Sequence, residues 1–301
     1  MEWVVLGYMA LTFLIILFTY TRLDNPSAMI WGRFRVLAIT LLLWGVYRMI
    51  PCRFTRLTRV AAQLLLLAWW YPDTYELNKI YPNLDHIVAQ WDQTCFGFQP
   101  ALVFAKHVPW AVISELMYMG YWFYYPMIGA VAFYYFWMKY EEFDRVSFII
   151  IASFFIYYVI FIVFPVVGPT YYYDAVGLSD IANGVFPNLH DYFATHTDCL
   201  KDPGYQDGFF YHLVESTKNE GERPTAAFPS SHVGVSTICM FLAWRTKNRK
   251  FFWGLFPIYV FLCMATVYIQ AHYLVDAIAG FISAAILYFL LYFASKSMVN
   301  R

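Results

Sequence analysis

Charged side chains are scarce in this chain of 301 residues. Asp, Glu, Lys and Arg make up 13% of it, against about a quarter in a typical soluble domain. That deficit excludes a soluble globular protein. Basic and acidic residues balance at twenty each, giving zero net charge, so no electrostatic footprint for nucleic acid is present. Cysteine is also sparse. The five residues Cys52, Cys95, Cys199, Cys239 and Cys263 have no metal-ligand spacing. No G-x-S-x-G sequence occurs, which removes the usual serine-hydrolase elbow. There is no internal repeat, no low-complexity linker and no second soluble domain. The first apolar run lacks a basic leader and reads as a membrane anchor, not as a cleavable signal.

Hydrophobic residues are abundant: they form 61% of the chain, and the mean hydropathy is +0.50. Eleven Trp and 26 Tyr suit the two interfaces of a bilayer. Apolar runs at residues 3–20, 36–50, 112–138, 146–164, 233–244, 251–270 and 277–293 read as spans. The run at 60–71 is short for one, since a span takes about twenty residues. Pro126 predicts a kink in its run. The expected fold is therefore all-α, a polytopic membrane bundle of six to eight transmembrane helices. It forms a single membrane domain over 1–301, with N-terminal spans in 1–71 and an interfacial segment in 72–111. A core in 112–301 carries an outward loop at 165–229.

The basic residues set an expected orientation. Arg245, Lys247, Arg249 and Lys250 lie in one short link, Lys139 and Arg145 bracket another, and Lys296 and Arg301 end the chain. With these inside, the cluster from Arg48 to Arg59 is inside too if 60–71 spans. The long loop then faces outward. Arg22, Arg33 and Arg35 run against the rule, because they fall between the first two spans on the outer side. Cys95 and Cys199 both fall outside and form either a disulfide or two free thiols.

The stretch from Arg223 to Asp276 carries the chemistry. It holds Arg223-Pro224, Pro229-Ser230-Ser231-His232 and His272-Tyr-Leu-Val-Asp276. Two spans separate the histidines, so the chain crosses and returns, and both histidines reach the same face. His272 and Asp276 are four apart, a spacing that puts them on one face of a helix. A carboxylate there can fix which ring nitrogen is free. Ser230, Ser231 and His232 fall in the first turn of a helix, where free N–H groups favour an anion. Arg223 offers a fork of donors to phosphate oxygens. Such a set suits phosphoryl transfer through a nucleophilic histidine. A two-histidine, one-carboxylate metal site would use the same residues, but Arg223 beside it would repel a cation.

These three pieces resemble the motifs of the type 2 phosphatidic acid phosphatase (PAP2) superfamily, K-x6-RP, PSGH and SR-x5-H-x3-D. Their order and spacing agree over the last quarter of the chain. Three positions depart. Ser216 stands where the first-motif lysine belongs, with Lys218 nearby; Ser231 replaces the glycine of the second motif; and Thr266, after Ala265, replaces the arginine of the third. The branch of inositol phosphorylceramide synthases and related lipid phosphotransferases departs in similar ways. Phe96-Gly97-Phe98-Gln99-Pro100 and Gly168-Pro169-Thr170-Tyr171 also look like stretches of that branch.

The resemblance implies an enzyme that works without metal or cofactor. His272 attacks phosphorus, Asp276 orients it, and His232 moves the proton. Arg223, Ser230, Ser231 and Lys218 bind the phosphate. The donor is a phospholipid, and the acceptor is a lipid hydroxyl such as ceramide's; the alternative within the superfamily is a lipid or polyprenyl phosphate phosphatase, with water as acceptor. A non-catalytic binder or transporter that kept the pocket is the alternative from another class. The expected location is a multi-pass membrane protein with its site on the non-cytoplasmic face, in a bacterial inner membrane or a eukaryotic Golgi or ER.

Overall fold

A computed structural model describes residues 1–296, apart from the side chains of 219 and 220. Arg301 lies outside the described residues. Fourteen α-helices and no strand are found among them. They are α1 (Glu2–Thr19), α2 (Pro26–Met49), α3 (Arg53–Asn78), α4 (Asp85–Phe96), α5 (Pro100–His107), α6 (Ala111–Trp122) and α7 (Tyr124–Met138). Then follow α8 (Phe143–Val163), α9 (Pro169–Val176), α10 (Leu178–Ala182), α11 (Phe209–Gly221), α12 (Ser231–Arg245), α13 (Arg249–Tyr268) and α14 (Leu274–Ala294). Helices α1, α2, α8, α13 and α14 are each long and apolar enough to cross a membrane.

Local chemistry sets several boundaries. Asn25 caps α2 by accepting from the Ala28 N–H, and Pro26 opens the helix, where a missing N–H costs nothing. Asn248 caps α13 in the same way. The run at 112–138 breaks between α6 and α7 at Phe123. Pro126 has no N–H for the Trp122 carbonyl, so the helix restarts there.

Contacts between helix ends sort the structure into two ends. Arg59 binds Glu2 and Asp144, Arg56 binds Asp144, and Arg245 binds Glu142. These pairs gather the start of α1, the start of α3, the α7–α8 link and the end of α12. At the other end Lys79 binds Asp24 at 2.6 Å, joining the α1–α2 turn to the end of α3. His232 and His272 lie at that second end. The chain connects the two ends through α1, α2, α3, the α6–α7 pair, α8, α12, α13 and α14. Helix α8 sits at the centre. It is buried on nearly every side, as a helix apolar all round its circumference must be.

The N-terminal helices differ from the sequence expectation. The 60–71 run belongs to a helix of 26 residues that passes through Pro72 to Asn78. Apolar counting missed this length because the helix interleaves its charges, and each finds a partner. Arg33 is not an exposed loop charge. It lies within α2, 2% exposed, and forks onto Asp73 of α3 at 2.7 and 3.0 Å. Its Nε donates to Thr12 of α1. A buried arginine answered by a carboxylate is compatible with a span.

Candidate active site

Two pieces of backbone meet to form the site: the N-terminus of α12 and the link 269–273 between α13 and α14. Ser230 is the N-cap of α12, its hydroxyl accepting from the Val233 N–H. Its own N–H donates to the Asp276 carbonyl at 3.0 Å. Gly280 of α14 packs against the Ser230 carbonyl, where a Cβ would collide. This close contact brings the starts of α12 and α14 together. Ser231 opens α12 with its hydroxyl unbonded among the described residues, and the N–H groups of Ser231 and His232 have no acceptor there. Such unpaired first-turn donors are suited to an anion.

His272 lies before α14, not on it. The expected helical pairing with Asp276 therefore takes another form. The ring nitrogen Nδ1 of His272 is 2.8 Å from the Ala227 carbonyl and 3.6 Å from Asp276 Oδ2. A carbonyl only accepts, so Nδ1 carries the hydrogen and Nε2 keeps a free lone pair. Asp276, fully buried, accepts instead from the Tyr273 N–H at 2.8 Å, closing the first turn of α14. Its second oxygen has no hydrogen-bond partner among the described residues. The Asp276 carboxyl is thus near the ring without bonding it, while the Ala227 carbonyl fixes the tautomer. Burial lowers the pKa of His272 to about 4, against the pull of the Ala227 bond and helped by the charge of Lys218. The ring is neutral at physiological pH.

His232 is half-buried, with its ring centre 5.7 Å from that of His272. Tyr121 stacks on it at 4.8 Å, Tyr124 lies at 4.4 Å, and its Nδ1 has no partner among the described residues.

The two basic candidates part company. Lys218 lies 6.0 Å from the Tyr121 ring that covers His232. Its ammonium is 2.7 Å from Asp202 and 3.8 Å from Glu222. Burial opposes that charge, but Asp202 and Glu222 outweigh it and hold the proton well above the usual lysine range. Ser216, at the lysine position of the motif, is exposed and bonds back to the His212 carbonyl. Two residues along a helix turn about 200° around its axis, so Lys218 takes the inward face that Ser216 does not. Arg223 is exposed and donates to the Glu222 carbonyl at 2.9 Å. Among the described residues it makes no hydrogen bond or ion pair to either histidine. Thr266 bonds within its own helix, and its carbonyl accepts from the His272 N–H. No group of three or more His, Cys, Asp or Glu suited to a metal is gathered among the described residues. Cys95 and Cys199 are exposed and free.

A sequence model of the PAP2 superfamily matches residues 86–290. The chain belongs to the PAP2 superfamily. Neither a curated protein nor a solved structure matches it. The matched segment contains every candidate residue above, from Lys218 to Asp276, and membership supports an activity of lipid phosphatase or phosphotransferase type.

Sequence reasoning missed several residues that the structure gathers around the candidate site. Asp202 was unmarked in the outward loop. Tyr121 and Tyr124 lie in the 112–138 run, which the sequence marks only as a span. Asp85 and Asp92 lie in the segment that the sequence marks as interfacial, yet both are fully buried. The only available signal was a carboxylate set among aromatics, which an interfacial loop shows equally well.

Proposed function

We propose that this PAP2 protein is a membrane lipid phosphotransferase. It moves a phosphate-bearing headgroup, of inositol phosphate type, from a phospholipid to a lipid hydroxyl such as that of ceramide. Nε2 of His272 attacks phosphorus. The bond from phosphorus to the donor's lipid oxygen breaks, and His232 gives that oxygen its proton. The acceptor hydroxyl then loses its proton to His232 and attacks phosphorus, and the bond to nitrogen breaks. Asp276 offsets the positive charge of the phosphorylated ring. Lys218, the first N–H groups of α12 and the hydroxyl of Ser231 hold the phosphoryl oxygens; Ser230 shapes that turn, and Arg223 sits at the rim.

The observation that carries this reading is the pairing of Lys218. The half-buried cation beside the histidines is already answered by Asp202 and Glu222. A phosphate monoester brings about 1.5 to 2 negative charges at neutral pH, whereas a diester brings one. A cation this compensated suits the diester. The half-exposure of His232 supports the phosphatase alternative, in which water is the acceptor.

Purified protein incubated with a panel of phospholipids and ceramide, with and without EDTA, tests the proposal. A headgroup-bearing product and an acceptor-dependent rate are expected, unchanged by EDTA. Free phosphate alone would favour the phosphatase, and neither product a binder or transporter. Loss in EDTA that one divalent ion restores would overturn catalysis by these residues without metal.

The proposed orientation places the histidine end on the non-cytoplasmic face, since Arg53, Arg56, Arg59, Lys139, Arg145 and Arg245 lie at the other end. A protein keeping only Cys199 should react with a membrane-impermeant thiol reagent on intact cells. One keeping only Cys52 should react after lysis. The reverse pattern would invert the topology. Both thiols are exposed.

A further inference from the structure

We infer that Asp92 and Asp85 of α4 are positioning residues for His272, acting through the link 269–273 and the first turn of α14. The inference rests on the proposed role of His272 as nucleophile. Burying a carboxylate is costly unless it is hydrogen-bonded, and both of these are spent on backbone beside that histidine. Asp92 reaches across from α4 and accepts from the Leu274 and Val275 N–H groups at 3.1 and 2.9 Å. It thereby caps a helix to which it does not belong. Burial pushes its carboxyl up to about 6, against the pull of those two donors. Asp85 accepts from the Tyr273 hydroxyl at 2.9 Å, from the Gly168 and Val167 N–H groups at 2.9 and 2.7 Å, and from the Asn83 amide at 2.6 Å.

These bonds close a cage around the histidine. Gly168 comes so close to the Ala271 carbonyl that a Cβ would not fit, and its φ of +92° suits glycine. On the other side, the His272 N–H is tied to Thr266 and its Nδ1 to Ala227. Tyr273, Leu274 and Val275 are each held by a carboxylate of α4. The ring therefore has one orientation, with Nε2 presented. Three carboxyl groups, those of Asp85, Asp92 and Asp276, bond the backbone or side chains beside it, and burial raises the pKa of Asp85 and Asp92. A misplacement near 1 Å at a reacting atom costs about a hundredfold in rate.

Tyr273→Phe removes one oxygen and leaves the packing, so it is the primary variant. Asp92→Asn, which keeps shape and loses one acceptor and the charge, is the second. Full-length protein with ¹⁵N-labelled histidine is examined by NMR, and kcat, KM and melting temperature are measured beside it. For Tyr273→Phe, the His272 ring is expected to pass from a single Nδ1–H tautomer to a mixture. Its kcat should fall about tenfold or more, with KM and melting temperature nearly unchanged. Asp92→Asn should lower kcat in the same sense. An unchanged tautomer and unchanged kcat in both variants would overturn the inference. So would a fall in kcat that only follows a fall in melting temperature. A wild-type protein silent towards every lipid would sink the functional reading instead, and the NMR comparison would still decide the positioning.

Discussion

Replacing His272 with alanine should abolish turnover and the phosphoenzyme together, a loss of about 10⁵-fold or more. Among the described residues nothing else near the site offers an unprotonated nitrogen aimed by a fixed hydrogen bond: Nδ1 is committed to Ala227, and Nε2 is free. Replacing His232 should instead cost about 10²–10⁴-fold, the range of a lost general acid and base. A substrate with a good leaving group needs less protonation, so it should partly rescue His232→Ala and leave His272→Ala inactive. Asp276→Asn should fall between the two, because it keeps the helix start while losing the charge 3.6 Å from the ring. The measurement is acid-labile phosphate trapped on the protein after brief exposure to labelled substrate. Trapping by His272→Ala but not by His232→Ala would reverse the roles. The same pair of variants reads out the pKa. Burial holds His272 down to about 4, and the neutral ring is the nucleophile. In His232→Ala, kcat/KM for the activated substrate should therefore hold from neutral pH down towards pH 4. A decline centred on the ordinary histidine value, 6.5, would contradict the buried environment.

Gly280→Leu should have the next largest effect, though residue 280 bears no functional group. A Cβ there runs into the Ser230 carbonyl and Cβ. A backbone carbonyl that is also tied into the cap of α12 cannot swing aside as a side chain can. The added side chain would push α14 from α12 and separate the two histidines. Overpacking of this kind costs about 1–3 kcal/mol in stability, and the displaced groups should lower kcat about a hundredfold. Gly254→Leu, where nothing lies within 4 Å of the added Cβ, is the control and should change kcat less than about twofold. If Gly280→Leu matches that control in both kcat and melting temperature, the α12–α14 contact does not set the site.

Five of the apolar runs and the histidine pair were legible because their signals are local. Apolar runs mark helices by length, and a crossing and its return put His232 and His272 on one face whatever the packing. The pairing of His272 was not legible. Its partner, the Ala227 carbonyl, is a backbone atom 45 positions away, and no residue type announces it. Lys218 shows the same limit. Counting from the motif gives Ser216, and only the rotation of α11 shows which side chain faces inward. The stretches 96–100 and 168–171 had no visible task in the sequence. Gly97 ends α4 with a φ of +78°, Gln99 receives the Tyr173 hydroxyl, and Gly168 lies under the histidine link. Each works through tertiary contact, which a linear pattern does not carry.

Arg33 also bears on how the membrane first accepts the chain. An arginine held within lipid costs about 2.5–3.5 kcal/mol when it inserts with its helix alone. Its carboxylate, Asp73, is 40 residues downstream, so α2 is synthesised before its partner exists. Until then only the Thr12 hydroxyl and the Met29 carbonyl are available to the guanidinium. Insertion of the first three helices as one cooperative unit avoids that cost, because α3 brings the carboxylate that answers Arg33.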